Sequence, residues 1–180
     1  MNVVPTALPG VLILEPRVFS DARGHFFESF NQRVMVEAGI DTSFVQDNHS
    51  SSVRGVLRGL HYQIQNPQGK LVRVVVGEVL DVAVDLRRSS PHFGRWASFV
   101  LSAENHRMAW IPPGFAHGFV VRSERAEFLY KTTDYYAPAF ERTLLWSDPS
   151  LAIEWQLDGP PVLSDKDAAG LSLSSAETFA

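Results

Sequence analysis

One stretch limits the possible folds more than any other. Leu71-Val72-Arg73-Val74-Val75-Val76 is a β-branched, mostly apolar run of strand length. Gly77-Glu78, which suits a tight turn, follows it. Leu80, Val82, Val84 and Leu86 then alternate with Asp81, Ala83, Asp85 and Arg87. A period of two predicts a strand with one buried face and one polar face. Further strands are expected at Phe44–Asn48, Val53–Gln63, Trp96–Leu101, Met108–Ile111, Gly118–Val121 and Glu127–Thr133, many bounded by Gly, Pro, Asn or Asp. Asn31–Ala38 predicts a short helix closed by Gly39, and a second is expected near Lys166. Many short strands without alternating helices predict an all-β chain, an antiparallel barrel or jelly roll rather than βαβ units. The 180 residues show no linker or repeat and suit a single domain over 1–180.

A small β-barrel can hold a ligand inside it, provided the inward strand positions carry polar groups there. Net charge is −4, which disfavours a nucleic-acid partner, so any anion must be met by a local basic cluster. Cysteine is absent, which removes disulfides and thiolate metal sites and fits a cytoplasmic enzyme. The start, MNVVPTALPGV, has neither a basic leader nor a long apolar run, so neither a secretory signal nor a membrane span is expected.

Polar residues that could serve such an interior are concentrated in a few strings. In Arg54-Gly55-Val56-Leu57-Arg58-Gly59-Leu60-His61-Tyr62-Gln63, alternation puts Gly59, His61 and Gln63 on one face. Arg58 faces the other way unless a glycine-linked bulge re-aims it. His61 by itself reads as a hydrogen-bonded core histidine. Arg54, Arg58, Lys70 and Arg73 nearby change that balance, because a group of cations at a barrel mouth suits a diphosphate. His117, in Ile111-Pro112-Pro113-Gly114-Phe115-Ala116-His117-Gly118-Phe119, fits a structural or a functional histidine equally well. Tyr130 and Thr132 share a strand face, where a tyrosine is most often core. Leu163-Ser164-Asp165-Lys166-Asp167 reads as a solvated tail. Arg23-Gly24-His25-Phe26-Phe27-Glu28, with Gln46-Asp47-Asn48, suits either a nucleotide base or an ordinary sheet edge. Taken together, a histidine base, a tyrosine, a carboxylate and cations suit proton abstraction beside a carbonyl.

Pro112, Gly114 and His117 match the second motif of cupin barrels, and Gly55 and His61 match the start of the first. Metal-binding cupins have a second His two residues after the first, followed by a Glu. Here that position is Gln63 and the next Glu is Glu78. Two histidines rarely hold a catalytic divalent ion, which usually has three protein ligands. The reading is a cupin-type jelly-roll barrel without a metal, its His61 free to act as a base. A metal-dependent oxygenase is disfavoured.

These strings, with Asp21-Ala22-Arg23-Gly24-His25-Phe26-Phe27-Glu28, Gln46-Asp47-Asn48-His49-Ser50 and Gly69-Lys70-Leu71-Val72-Arg73, resemble the dTDP-4-dehydrorhamnose 3,5-epimerases from about residue 10 to 167. The resemblance departs after Asp167, where the family usually has a Pro and this chain has Ala168-Ala169-Gly170-Leu171. It implies that His61 removes protons at C3 and C5 of a dTDP-4-keto-6-deoxy sugar. It further implies that Asp167 orients His61, Tyr130 returns a proton on the opposite face, and Lys70 stabilises the enolate at C4. Arg58, Lys70 and His117 would lie along the sugar-diphosphate path. Arg23, Phe26, Glu28, Gln46, Asn48, Tyr136, Glu141 and Lys166 would lie on the nucleotide side. The family is a homodimer, so Arg23, Phe26 and Glu28 would serve the neighbouring subunit. No cofactor is implied. The same residues also suit a mono-epimerase at C3 or C5, a ketoisomerase, or a non-catalytic sugar-nucleotide-binding cupin.

Overall fold

The computed structural model describes residues 1–180. Its strands are β1 (Asn2–Pro5), β2 (Leu12–Glu15), β3 (Phe19–Asp21), β4 (Gly24–Phe26), β5 (Gln46–Val53), β6 (Leu57–Gln63), β7 (Lys70–Val76), β8 (Glu78–Asp85), β9 (Trp96–Ser102), β10 (Met108–Ile111), β11 (Phe115–Val121), β12 (Arg125–Thr132) and β13 (Glu141–Thr143). Two short α-helices, α1 (Gln32–Glu37) and α2 (Asp165–Ala168), and one 3₁₀ turn at Pro138–Phe140 complete the regular structure. The strands form a six-stranded sheet, β1-β2-β10-β7-β12-β5, and a five-stranded sheet, β13-β6-β11-β8-β9, with β3-β4 as a separate hairpin. This is the expected all-β cupin-type jelly roll. No helix is long and apolar enough to cross a membrane.

Gly77 does make a tight turn, but β7 and β8 do not form a hairpin: the chain passes there from one sheet to the other. Its φ is +75°, and a Cβ would lie 2.0 Å from the Arg125 carbonyl oxygen. The expected strand Val53–Gln63 is two pieces, because Arg54 and Gly55 turn the chain between β5 and β6. Phe44–Asn48 accordingly corresponds to the longer β5. The expected helix at 31–38 is α1, with Asn31 capping its N-terminus and Gly39 following at φ +83°. The short strands β1, β2, β3, β4 and β13 carry too few residues to print a period.

The polar face expected on β8 is not solvated. Val79, Asp81 and Ala83 face the barrel interior with Phe115, Phe119 and Phe128, while Leu80, Val82 and Val84 face outward. That outward face is covered by the C-terminal segment through Leu144, Leu151, Trp155 and Ala176. The chain after Asp167 is tied down by bridges Leu144–Leu171 and Arg87–Phe179 and by the Tyr62 hydroxyl donating to the Glu177 carbonyl. A third cluster, Leu14, Met35, Ile40, Leu71, Met108 and Trp110, holds α1 against the six-stranded sheet.

Gly77→Ala combines a left-handed backbone with a backbone clash. It is expected to cost about 2–4 kcal/mol in urea denaturation. A loss below about 1 kcal/mol would show that the inter-sheet turn tolerates a side chain.

Candidate active site

Alternation on the inner strands builds a cavity of about 350 Å³ between the sheets. Its wall includes Gln46, Asn48 and Ser50 of β5, Arg58 and His61 of β6, Lys70 of β7, His117 of β11 and Tyr130 of β12. Tyr136, Glu141 and Lys166 also line it. Arg58 and His61 share this wall because the β6–β11 ladder is bulged. His117 pairs with His61 but Phe119 pairs with Arg58, so two steps on β11 match three on β6. The two strands also touch closely: a Cβ on Gly59 would lie 2.6 Å from the Gly118 Cα. The bulge that would re-aim Arg58 is therefore present, and glycine permits it.

His61 Nε2 lies 2.6 Å from Asp167 Oδ1. Asp167 is buried behind the ring and also accepts from the Gly59 amide and from the Ser164 hydroxyl. Ser164 caps α2 and in turn accepts from the Asp167 amide, so the carboxylate sits in a reciprocal capping arrangement. The tail motif is thus part of the site rather than a solvated strand end. Burial pushes the His61 imidazole below its usual 6.5, with Lys166 and Lys70 adding to the drop against the pull of Asp167. Burial opposes ionisation of Asp167, but hydrogen bonds from His61, Ser164 and Gly59 outweigh it and hold the carboxyl at about 2. The pair at neutral pH is a neutral imidazole backed by a carboxylate, the arrangement of an oriented base.

Burial pushes Lys70 down to about 8, against the charges of Glu141 and Asp81. Its Nζ donates to the His61 carbonyl at 3.3 Å. Burial raises the Tyr130 phenol, so that it keeps its proton. At the mouth, Glu141 accepts from Tyr136 Oη and Lys166 Nζ, while Gln46 donates to Asn48 and accepts from the Tyr136 amide.

A family model described as dTDP-4-dehydrorhamnose 3,5-epimerase matches residues 5–175. The chain belongs to this family. It is 62% identical over 180 residues to a dTDP-4-dehydrorhamnose 3,5-epimerase of Pseudomonas aeruginosa, covering 99% of each chain. A dTDP-6-deoxy-D-glucose-3,5-epimerase from Legionella pneumophila, solved in complex with dTDP-4-keto-L-rhamnose, is 52% identical. It superposes with a TM-score of 0.95 over 98% of this chain and 94% of that one. A 3'-monoepimerase from Streptomyces bikiniensis in complex with dTDP-quinovose is 36% identical, with a TM-score of 0.90 over 95% and 87% of the two chains.

Not every candidate residue named from the sequence reaches the cavity. Arg73 points from β7 to the outer face of its sheet, where it borders a second cavity with Phe30, Met108 and Lys131. Arg54 lies in the β5–β6 turn beside Arg122. The cationic cluster expected from Arg54, Arg58, Lys70 and Arg73 is therefore reduced to Arg58 and Lys70, joined by Lys166 from the tail. Arg23 and Phe26 sit on the β3-β4 hairpin, outside the cavity wall; Phe26 is 72% exposed and Arg23 pairs with Asp21. Glu28 accepts from Asn31 on the adjoining surface. Gln63 is buried outside the cavity wall with its amide committed: it donates to the Asn66 and Tyr135 carbonyls and accepts from the Ala137 amide.

Sequence reading missed Ser50, Gln68, Asp81 and Ser164. For Ser164 a signal existed, since Ser-x-x-Asp before a short helix has capping-box spacing. Asp81 was hidden by the alternation, which set it on a polar face without saying what that face meets. In the structure it is fully buried, and both its oxygens meet His117 Nε2, at 2.9 and 3.0 Å.

Asp167→Asn removes the one group that raises the affinity of His61 for a proton. The His61 imidazole should then titrate still lower, as followed by proton NMR of its ring. A titration that stays put or moves up would mean that Asp167 does not control the ring.

Proposed function

We propose that the protein converts dTDP-4-dehydro-6-deoxyglucose to dTDP-4-dehydrorhamnose, epimerising at C3 and C5 as a step of rhamnose biosynthesis. The observation that carries this reading is the His61–Asp167 pair at a cavity wall shared with Lys70 and Tyr130. The higher identity to the 3,5-epimerases than to the 3'-monoepimerase favours the double reaction over the single one.

The carbons beside a ketone lose a proton only because the enolate places its charge on oxygen. In our assignment the neutral His61 takes the proton from C3 or C5, and Asp167 stabilises the imidazolium that forms. Lys70 meets the charge developing on the C4 oxygen, which is where a fixed cation lowers the barrier most. Tyr130 then gives its proton to the opposite face of the same carbon, and exchange with solvent resets both groups. C3 and C5 flank one ketone, so one base and one acid serve both. No electron is gained or lost, and the proposed chemistry uses neither a metal nor a cofactor.

Arg58, Lys70 and His117 are assigned to the sugar-diphosphate path, and Gln46, Asn48, Tyr136, Glu141 and Lys166 to the nucleotide side. We place Arg23, Phe26 and Glu28 against the neighbouring subunit's nucleotide in a homodimer. The exposure of Phe26 and the position of the hairpin outside its own cavity support this. We assign the protein to the cytoplasm, in keeping with its lack of cysteine.

Proton NMR of the 4-keto sugar nucleotide in deuterated water tests the reaction. The wild type should exchange both C3 and C5 and invert both. His61→Ala should slow exchange at both carbons by roughly 10²–10⁴-fold; near wild-type exchange at either would require a different base there. Tyr130→Phe deletes the hydroxyl and keeps the ring. Exchange should outlast inversion in that variant, because His61 can return a deuteron to the face it came from. Equal loss of both would remove Tyr130 as the opposite-face acid.

The pH profile follows from two burial-lowered groups. Activity needs His61 neutral, so kcat/KM should rise with pH through a value below 6.5. It needs Lys70 charged, so the profile should fall through about 8. Lys70→Arg keeps its charge past pH ~12 and should move the falling limb upward. A limb that remains near 8 in that variant belongs to another group.

A further inference from the structure

The cavity contains a second imidazole–carboxylate pair to which the proposed reaction gives no chemical step. Asp81 is on the interior face of β8, among Val79, Ala83, Phe119 and Phe128. It has no exposed surface, and its only hydrogen-bond partner is His117 Nε2, which both oxygens meet. A carboxylate in such a place stays only if it is paired. His117 is 7% exposed, and its ring lies 6.2 Å from Phe128. Its Nδ1 has no partner in the protein, yet every fully enclosed side-chain nitrogen and oxygen does have one. Nδ1 is therefore the ring atom that reaches the cavity, which His117 lines.

We infer that Asp81 is a positioning residue for His117: it holds the proton on Nε2, fixes the ring plane, and so presents Nδ1 to the bound sugar nucleotide. The ladder makes the consequence clear. His117 and His61 are direct partners across β11 and β6, so two histidines enter the cavity side by side. Each is backed by a buried carboxylate from a different element, Asp167 from the tail helix and Asp81 from the barrel interior. Without Asp81 the two ring nitrogens of His117 would be nearly equivalent, and the ring could turn or change tautomer beside the base. A carboxylate that accepts only at Nε2 removes that freedom. The β8 strand thereby contributes to the site a residue that touches no substrate.

The role of His117 toward substrate rests on the proposed function, but the tautomer does not, and the two are tested separately. In ¹⁵N-histidine-labelled protein without ligand, the His117 signals are identified by their loss in His117→Ala. They should show a proton on Nε2 in the wild type, and in Asp81→Asn the Nδ1–H tautomer should appear, because an amide can donate as well as accept. A wild-type ring without a proton on Nε2 overturns the inference, and so does a spectrum unchanged in Asp81→Asn. If Asp81→Asn does not fold, the wild-type spectrum alone decides. In kinetics, Asp81→Asn should lower kcat/KM about 10–100-fold, by analogy with other carboxylates that orient a functional histidine. It should add nothing further in a His117→Ala background. Additive losses would mean that Asp81 acts elsewhere, for example through its charge on Lys70, and would overturn the assignment to His117. An inactive wild type with the expected tautomer would remove the proposed reaction and leave the Asp81–His117 pairing standing.

Discussion

The site depends on how closely β6 and β11 approach at Gly59 and Gly118. No side chain fits between them, since a Cβ on Gly118 would lie 2.6 Å from the Arg58 carbonyl oxygen. This contact accompanies the bulge that turns Arg58 and His61 to the same side. It also leaves the Gly59 amide free of the ladder to donate to Asp167, so the backbone that bends the strand helps to hold the carboxylate behind His61. A regular ladder, counted back from His61, would send Arg58 to the outer face with Leu60 and Tyr62, where the C-terminal segment packs.

Burial sets the electrostatics of the cavity. A chain of net charge −4 binds no anion by bulk attraction, yet Arg58, Lys70 and Lys166 converge on one cavity. Burial lowers His61 and Lys70 together and raises Tyr130. Buried carboxylates make this arrangement stable. Asp167 and Asp81 each meet an imidazole, the half-buried Glu141 meets Lys166, and no buried side-chain nitrogen or oxygen lacks a partner.

Cupin-type barrels host many chemistries, so the fold by itself does not determine what this one does. The difference lies in a few positions on and behind the cavity wall. Gln63 stands where metal-binding members of the fold have a histidine, and its amide is spent on the loop that carries Tyr135 and Ala137. That loop leads to Tyr136 and Glu141 at the mouth. The position has become a support for the mouth of the cavity, and His61 is turned instead toward a carboxylate from the tail.

Much of the fold was legible in the sequence, because period two and glycine-bounded apolar runs report directly on strands half in contact with a core. His61, Lys70 and Tyr130 were also legible as residues of one interior. The strands β1–β4 and β13 were not, since three or four residues carry no period. Nor was the fate of Asp81: alternation says that a residue points away from its apolar neighbours, not what lies on the other side. Here a tail of Leu144, Leu151, Trp155 and Ala176 covers the outer face, so Leu80, Val82 and Val84 point outward and Asp81 points into the barrel. The sequence by itself determined the strand content, the residue types available for proton transfer and the family they match. Only the tertiary structure decided which of them meet. Arg73 and Arg54 left the cationic cluster, Lys166 joined it, and Asp81 came to face His117. The physical reason is that local pattern fixes which residues share a face, whereas sheet pairing, a bulge and a tail 100 residues away fix what that face encloses.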